Sequence, residues 1–458
     1  MWGQAAFLKR LKNEMPAWVE NGWVSEAHGN AILQRYDTRG DQVSLLSAAF
    51  GILGVLLLLS GIITFFAANW DGMSKLAKLL VLFASMLAAY ALAIKPFNRT
   101  RFPRLFQAML LLGAGMFGAN IMLIAQIYHI DSHYPNGVLL WALGALLLAW
   151  LVPAPAVMVM ALALAVLWTG METFGFDHSN LAFLVFLIAA LPRIGTQGWR
   201  FAGHAAAIAL LSWSLFAYME TFGYQGDAER LMMTELMFVA WLSLFVAGLL
   251  MAHWPRAKAR APLVQRYGMF GALGFFYLLT SPRVHSGIGA WWGHGAYREA
   301  FDTTAAFTVG GALLVLCALA AWHHALVRMS SRPRFLDWAQ WLLGGCVALL
   351  VGTMFIGGEA GGYVAAAFNI FYFAGLAWLV AAGVWLQDRV LVNLAFVFFA
   401  ITLVTRYFDT FWTLMNRSFF FMAGGLLLLV IGFLLERQRR NFTGRIRQQR
   451  AAATEGGA

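Results

Sequence analysis

Fourteen apolar segments, most of them near the length of a membrane-spanning helix, recur between about residues 44 and 436. A helix needs about 20 mainly apolar residues to cross the hydrocarbon core of a bilayer. Of the 458 residues, 61% are hydrophobic and 12% are charged, whereas about 25% of residues in soluble domains are charged. The pattern predicts an all-α, polytopic integral membrane protein with about 14 transmembrane helices.

The boundaries of the predicted spans follow the apolar runs. They are 44–68, 75–95, 104–127, 136–152, 154–170, 180–192, 200–222, 231–254, 263–280, 302–327, 335–356, 362–385, 390–406 and 418–436. The fourth, fifth and sixth spans are short, and Pro153 and Pro155 alone separate the fourth from the fifth. If the fourth and fifth spans were one helix, every later loop would lie on the opposite side of the membrane.

The basic residues decide between the two counts. With the N-terminus inside and fourteen spans, 25 of the 32 Lys and Arg residues fall in inner segments and 7 in outer ones. Cytoplasmic loops carry such an excess, and merging two spans would destroy it. We therefore expect a multi-pass membrane protein with both termini cytoplasmic. Because the basic residues are spread over separate loops, we expect no nucleic-acid partner.

The N-terminal region differs from the rest of the chain. Apolar residues recur at helical spacing from Phe7 to Val19, Asn21 and Gly22 favour a turn, and Ser25 is suited to cap a second helix. This predicts a small amphipathic helical hairpin, either a cap lying on the membrane or a partner-docking module. The chain thus divides into a cytoplasmic helical cap (1–43), a transmembrane domain (44–436) and a basic, disordered cytoplasmic tail (437–458).

One internal similarity joins residues 167–176 (Leu-Trp-Thr-Gly-Met-Glu-Thr-Phe-Gly-Phe) to residues 215–224 (Leu-Phe-Ala-Tyr-Met-Glu-Thr-Phe-Gly-Tyr). Each segment ends an odd-numbered span, which predicts a duplicated hairpin, 136–176 and 180–224. Chance or a shared interfacial chemistry is the alternative explanation. Duplication is typical of transporters, whose sites lie between repeats, but it also occurs in membrane scaffolds.

Three stretches carry a family resemblance. They are Phe-Ala-Ala-Asn-Trp-Asp-Gly (66–72) with the lysines after it, Gln-Ile-Tyr-His-Ile (126–130) followed by Leu-Leu-Trp-Ala-Leu (139–143), and Arg-Tyr-Phe-Asp (406–409) leading to Leu-Leu-Glu-Arg-Gln-Arg-Arg (434–440). With the N-terminal hairpin, they resemble bacterial predicted membrane proteins of domain of unknown function 2157 and the related family 4401. The resemblance implies a multi-pass protein of the bacterial cytoplasmic (inner) membrane but no activity. Some members are found beside a protein with a Gly-Asp-Tyr motif, which implies a complex.

Several polar residues lie inside predicted spans: Asn120, Gln126, His204, Glu235, Asn369 and Asn393. An ionisable group within a membrane is a functional hypothesis by default, while interhelical hydrogen bonds account for many Asn and Gln residues. Glu235 lies about one turn into its span, which favours an interfacial position over a proton relay.

A second polar set lies at the predicted outer rim. Carboxylates there suit cations or protons, and Arg406 suits a bidentate carboxylate or phosphate. The alternative is local pairing at helix-neighbour spacing, of Asp71 with Lys75 and of Arg406 with Asp409. The candidates for a substrate or ion pathway in an outward-facing vestibule are Asn69, Asp71, His129, Asp131, Glu172, Glu220, Arg406 and Asp409.

Two chemical alternatives to this vestibule are a zinc site and the active site of a lipid-linked glycosyltransferase. The spacing of His129, Asp131 and His133 suits zinc if a fourth ligand comes from elsewhere in the chain, namely His178, His285 or His294. An ordinary loop is the preferred interpretation, and no metal or cofactor is predicted. A lipid-linked glycosyltransferase would need an acidic residue in an early outer loop, and Asp71 and Asp131 have that position. The outer loops are short, however, and the longest is 281–301. We therefore expect no enzyme and assign no catalytic residue.

Two functional hypotheses follow. The first is a transporter or flippase-like protein for a small or lipid-linked substrate. The second is a non-transporting membrane scaffold or sensor that acts through a partner, either another membrane protein or a periplasmic one. Membrane lipids are expected partners in both cases.

Overall fold

In the computed structural model, the described residues form α-helices joined by turns, with no β-strand among them. The structure describes residues 14–16, 18–37, 72–94, 103–130, 133–176, 180–221, 227–287, 296–327, 338–353 and 360–411, with isolated residues at 11, between 53 and 68, and between 425 and 429. The apolar runs become helices because a helix satisfies its own backbone hydrogen bonds where water is absent. The protein is thus an all-α polytopic membrane protein.

The helices within these ranges follow the predicted spans closely. They are α1 (Glu26–Asp37), α2 (Lys75–Ile94), α3 (Pro103–Tyr128), α4 (Pro135–Leu151), α5 (Pro155–Phe176), α6 (Ala182–Gln197), α7 (Arg200–Glu220), α8 (Asp227–Met251), α9 (Ala261–Leu279), α10 (Ala296–Val327), α11 (Trp338–Thr353), α12 (Gly361–Trp385) and α13 (Arg389–Phe411). A short 3-10 helix, Val284–Gly287, follows α9. Helices α2 to α13 coincide with predicted spans 2 to 13.

Seven of these helices are long and apolar enough to cross a membrane: α2, α3, α5, α7, α8, α12 and α13. Four shorter apolar helical segments accompany them: α4, α6, α11 and the Thr308–His324 part of α10. The first and last predicted spans, 44–68 and 418–436, lie almost wholly outside the described residues. The total of fourteen therefore stays a prediction.

The turn between α4 and α5 keeps two short spans apart, as the charge count required. Helix α4 ends at Leu151 and α5 begins at Pro155, where the missing N–H of proline costs no helical hydrogen bond. Gln107 Nε2 donates to the carbonyl oxygen of Pro153 at 2.8 Å. The turn is thus fixed both by local backbone chemistry and by a side chain of α3.

The predicted ends of the fifth and sixth spans, at residues 170 and 192, were wrong. Helix α5 continues to Phe176, and α6 continues through Pro192 to Gln197. A proline removes one hydrogen bond from a helix without always ending it in an apolar setting. Helix α6 ends instead at Gly198, whose φ of 66° is a left-handed conformation that favours glycine.

The chain separates into two compact units, Met1–Met160 and Ala161–Ala458, where the sequence suggested one transmembrane domain after the cap. In the first unit, aromatic rings pack directly against glycines of a neighbouring helix. A Cβ atom placed on Gly113 would lie 2.4 Å from the Tyr90 ring, and one on Gly118 would lie 2.1 Å from the Trp141 ring. Trp141 Nε1 also donates to the Ala114 carbonyl oxygen at 2.8 Å. Small residues here allow close helix packing.

The N-terminal hairpin lies in the same unit. Residues 14–16 and 18–20 are helical, residues 21–24 form the turn, and α1 follows. The backbone N–H of His28 donates to Ser25 Oγ at 3.4 Å, which makes Ser25 the capping residue of α1. A Cβ atom on Gly29 would lie 3.3 Å from the sulfur of Met15, so the two arms pack against each other.

The second unit is built around α8 and α9, which approach backbone to backbone. A Cβ atom on Gly268 would lie 2.5 Å from the backbone nitrogen of Phe245, and one on Gly248 would lie 2.8 Å from that of Gln265. Aromatic rings continue the core toward α12: the Phe276 ring lies 5.2 Å from the Tyr372 ring. This core surrounds the polar groups described next.

Candidate functional site

Thr280, the residue that ends α9, is the meeting point of three helices. Its hydroxyl accepts a hydrogen bond from Arg406 Nη2 of α13 at 2.5 Å. Its backbone carbonyl oxygen accepts one from Asn369 Nδ2 of α12 at 2.8 Å, and the same amide nitrogen lies 2.7 Å from the Ala365 carbonyl oxygen. Thr280 is wholly buried. The cluster therefore places a guanidinium and an amide at one buried point among apolar helices.

His285 lies just beyond this point, in the 3-10 helix. Its ring is wholly buried, its Nε2 lies 2.6 Å from the Leu279 carbonyl oxygen, and it stacks on Phe368 at 5.3 Å between ring centroids. Burial lowers the pKa of His285, and the hydrogen bond to Leu279 raises it by less. The ring is therefore neutral, with Nε2–H donating to Leu279. A Cβ atom on Gly361 would lie 2.8 Å from the His285 carbonyl oxygen, so glycine lets α12 begin against this turn.

Glu235 is the buried acid of the unit. It lies in the third turn of α8 and has no exposed surface. Its Oε1 lies 2.7 Å from the hydroxyl of Thr353, the last residue of α11. Its Oε2 has no hydrogen-bond partner in the described part of the chain. The interfacial position expected from sequence therefore corresponds to a side chain enclosed by protein.

The predicted rim residues that the structure describes lie in different surroundings. Arg406 belongs to the Thr280 cluster. Glu172 is buried on α5, where its Oε1 accepts a hydrogen bond from Trp168 Nε1 at 3.1 Å. Glu220 is the half-buried last residue of α7. These contacts put Arg406 and Glu172 in different local settings.

The other rim candidates are either exposed or outside the described residues. His129 is exposed and has a φ of 50° just after α3. Asn69, Asp71 and Asp131 lie outside the described residues, as does the side chain of Asp409 on α13. A single vestibule built from all eight residues stays a prediction.

The local-pair and metal alternatives rest partly on the same residues. Lys75 Nζ lies 5.6 Å from the centroid of the Tyr128 ring, a cation–π distance. Its pairing with Asp71 stays a prediction, because Asp71 lies outside the described residues. Within the described ranges, no three His, Cys, Asp or Glu side chains form a group suited to a metal ion. The zinc alternative also needs Asp131, which those ranges do not include.

The two copies of the predicted repeat touch each other. The Phe174 ring of the first copy meets the Phe216 ring of the second edge-on at 5.2 Å. A Cβ atom on Gly170 would lie 3.4 Å from the same Phe216 ring. Phe216 of α7 therefore contacts α5 within the segments whose sequences are alike.

Comparison with known proteins adds a family and no activity. Residues 16–158 match the sequence model of a family described as predicted membrane protein (DUF2157). This part of the chain is similar to the proteins of that family. The match confirms the resemblance seen in the N-terminal motifs and covers about a third of the chain. No curated protein and no solved structure matches the chain.

The DUF2157 region coincides almost completely with the first structural unit. It ends at residue 158, and that unit ends at Met160. The buried cluster of Arg406, Thr280 and Asn369 therefore lies outside the DUF2157 region, as do Glu235 and His285. Sequence reasoning named Arg406, Asn369 and Glu235 separately. It missed Thr280, the common partner of Arg406 and Asn369, because a threonine at the end of an apolar run carries no distinctive signal.

Proposed function

We propose that the protein is a transporter or flippase-like protein of the bacterial cytoplasmic membrane, acting on a small or lipid-linked substrate. The observation that carries this proposal is the convergence of Arg406 and Asn369 on buried Thr280. Ionisable side chains enclosed among membrane helices are rare, and such residues commonly mark substrate or ion pathways. A purely structural role would be served at lower cost by apolar packing.

The cluster favours a substrate with an anionic group. A guanidinium is always charged and presents a planar fork that matches carboxylate and phosphate oxygens. Arg406 lies near the end of α13, and Thr280 ends α9. The charge distribution predicts that both helix ends face outside, which places the cluster where a substrate would enter from the periplasmic side. Both termini are then cytoplasmic.

The first test is binding of named anionic probes to the purified, detergent-solubilised protein. The panel consists of inorganic phosphate, a dicarboxylate, an acidic amino acid and a polyprenyl phosphate, each tested by thermal shift and then by uptake or flipping in proteoliposomes. We expect at least one probe to stabilise the protein and to be moved. Arg406→Gln removes the charge and should abolish both effects. Arg283→Gln, at an exposed arginine after α9, should preserve both.

Two outcomes would contradict the proposal. One is a panel in which no probe binds or moves although the protein is folded. The other is a probe that acts equally on the wild type and on Arg406→Gln, since Arg406 would then not be at the binding site.

The rival proposal is a non-transporting scaffold or sensor that acts through a partner. Its specific support is Trp23, which lies in the turn of the N-terminal hairpin and is 73% exposed. A large exposed aromatic side chain suits either a partner or a lipid surface. Co-purification of a second protein in stoichiometric amount, lost in Trp23→Ser, would favour the rival, provided the panel above shows no movement of any probe.

A further inference from the structure

The carboxyl group of Glu235 is enclosed by apolar side chains of its own helix face. Leu231, Phe238 and Val239 are one helical turn away, and all are buried. Residues at these spacings are neighbours on a helix surface. In the described part of the chain, the one polar partner of the carboxyl is Thr353. An ionised carboxylate in this setting would have neither a counter-charge nor a full set of hydrogen bonds.

The Thr353 hydroxyl fixes where the protons are. It lies 2.7 Å from Glu235 Oε1 and also 2.7 Å from the Leu350 carbonyl oxygen. A hydroxyl has one hydrogen to donate and can accept as well. As a donor, Thr353 would have to share its one hydrogen between Glu235 Oε1 and the Leu350 carbonyl oxygen. A protonated Glu235 removes this competition, because its own O–H can donate to Thr353 while Thr353 donates to Leu350.

We infer that Glu235 is a proton-binding site of the second unit, carrying its proton in the conformation described here. The reaction is simple: the carboxylate takes one proton from water when α8 and α11 let water reach it, and the acid is neutral once it is enclosed. If the protein transports, this proton is the coupling ion. That last step rests on the proposed function, whereas the protonation itself does not.

The elements packed against α8 contribute their own titratable groups toward this end of the unit. Arg230 lies on α8 itself, and Thr353 is the contact from α11. The side chains of residues 296–307 on α10 lie outside the described residues. The groups on the other neighbouring elements are Tyr218 and Glu220 on α7, Tyr277 on α9 and His285 in the 3-10 helix. The buried, neutral His285 supplies no positive charge that would hold Glu235 ionised.

Infrared spectroscopy of the full protein in lipid tests the inference directly. A protonated carboxyl has a C=O band separate from that of a carboxylate, and the band moves when the proton is replaced by deuterium. We expect this band at neutral pH in the wild type, its loss in Glu235→Gln, and its retention in Glu172→Gln, the matched buried acid. Thr353→Val removes the hydrogen-bond acceptor and should shift the band to higher frequency, even if Glu235→Gln fails to fold.

Three results would overturn the inference: no such band in the wild type, the same band in Glu235→Gln, or a band that never moves in deuterated water. The last would mean a permanently locked structural acid rather than a site that exchanges its proton.

The coupling step has its own measurement. An imposed pH gradient should accelerate the uptake of any probe found above by at least several-fold, and Glu235→Gln should lose that acceleration. A band without any probe movement would refute the proposed function and leave the proton site standing.

Discussion

Among the described residues, the two structural units differ in the polar side chains that they bury. In the first unit, Asn120 is buried and donates its amide N–H to the Leu82 carbonyl oxygen of a neighbouring helix at 3.2 Å. In the second unit, the buried groups include Glu235 and the half-buried Arg406. A neutral amide bonded to backbone is a common means of holding membrane helices together. An ionisable side chain in the same surroundings costs more, and packing alone gives no reason to keep it.

The family match sharpens this contrast. The DUF2157 region is essentially the first unit, in which glycines receive the rings of Tyr90 and Trp141 and close packing dominates. Among the described residues, the groups proposed to bind an anion or a proton lie in the second unit, beyond the match. The described part of the first unit thus shows how its helices pack, whereas the proposed anion and proton sites lie in the remaining two thirds of the chain.

The largest expected effect is on the packing of α8 and α9. Gly268→Ala places a Cβ atom 2.5 Å from the backbone nitrogen of Phe245, and backbone cannot move aside as a side chain can. We expect a loss of about 3 kcal/mol in the free energy of unfolding, at the upper end for overpacking, measured in mixed micelles. Gly274→Ala, also on α9 with no atom within 4 Å of the new Cβ, should leave stability nearly unchanged.

The matching change in the first unit should cost less. Gly118→Ala meets the side chain of Trp141 rather than backbone, so the indole can rotate away at the expense of its bond to the Ala114 carbonyl oxygen. We expect about 1–2 kcal/mol. A larger loss for Gly118→Ala than for Gly268→Ala would show that the first unit is the more tightly packed of the two.

The next effect compares the same substitution in both units. Asn369→Leu removes the two short contacts to Thr280 and Ala365. The variant should lose about 1 kcal/mol in the free energy of unfolding. It should also bind the probe about tenfold more weakly, because Thr280, which contacts Arg406, loses its hydrogen bond from α12.

Asn120→Leu in the first unit should cost only about 0.6 kcal/mol and leave probe binding unaltered. Equal losses of binding in the two variants would remove the distinction between a structural unit and a binding unit.

The fold class was predictable because a bilayer leaves few solutions for long apolar runs. Helices α2 to α13 lie where hydrophobicity put spans 2 to 13, and the basic residues separated α4 from α5. The helix ends were harder, since Pro192 is tolerated inside α6 and Gly198 ends it. Local sequence signals compete there with tertiary packing.

The site was predictable only in part. Arg406, Asn369 and Glu235 stood out because a polar residue in an apolar run is costly. Their partners Thr280 and Thr353 did not, since threonine is compatible with membrane helices. In addition, Arg406 and Thr280, like Glu235 and Thr353, are more than a hundred residues apart along the chain. Pairing at such separations depends on how helices are arranged, which spacing alone does not reveal.

His285 gives the second unit a pH-dependent stability. Burial lowers its pKa below the ordinary value of 6.5, so the folded state holds fewer protons than the unfolded state between the lowered value and 6.5. Stability is therefore complete above 6.5 and falls as the pH drops below it, by at most about 1.4 kcal/mol per pH unit. His285→Gln keeps an N–H donor for Leu279 without titrating, and its unfolding free energy should fall less steeply. Parallel pH curves for the two proteins would contradict this.

The smallest expected effect is that of Glu172→Gln, at the buried acid of the first repeat copy. Glu172→Gln keeps an oxygen to accept the hydrogen bond from Trp168 Nε1, now 3.1 Å long, so its stability should stay within about 0.5 kcal/mol of the wild type. Glu172→Ala leaves that buried donor unsatisfied and should cost about 1–3 kcal/mol. Uptake of the probe distinguishes a structural role of Glu172 from a role in transport. If Glu172→Ala still moves the probe at the wild-type rate, Glu172 is a structural acceptor and the pathway narrows to the Arg406 cluster. If Glu172→Gln stays stable but stops transport, the repeat segments of α5 and α7 belong to the pathway as well.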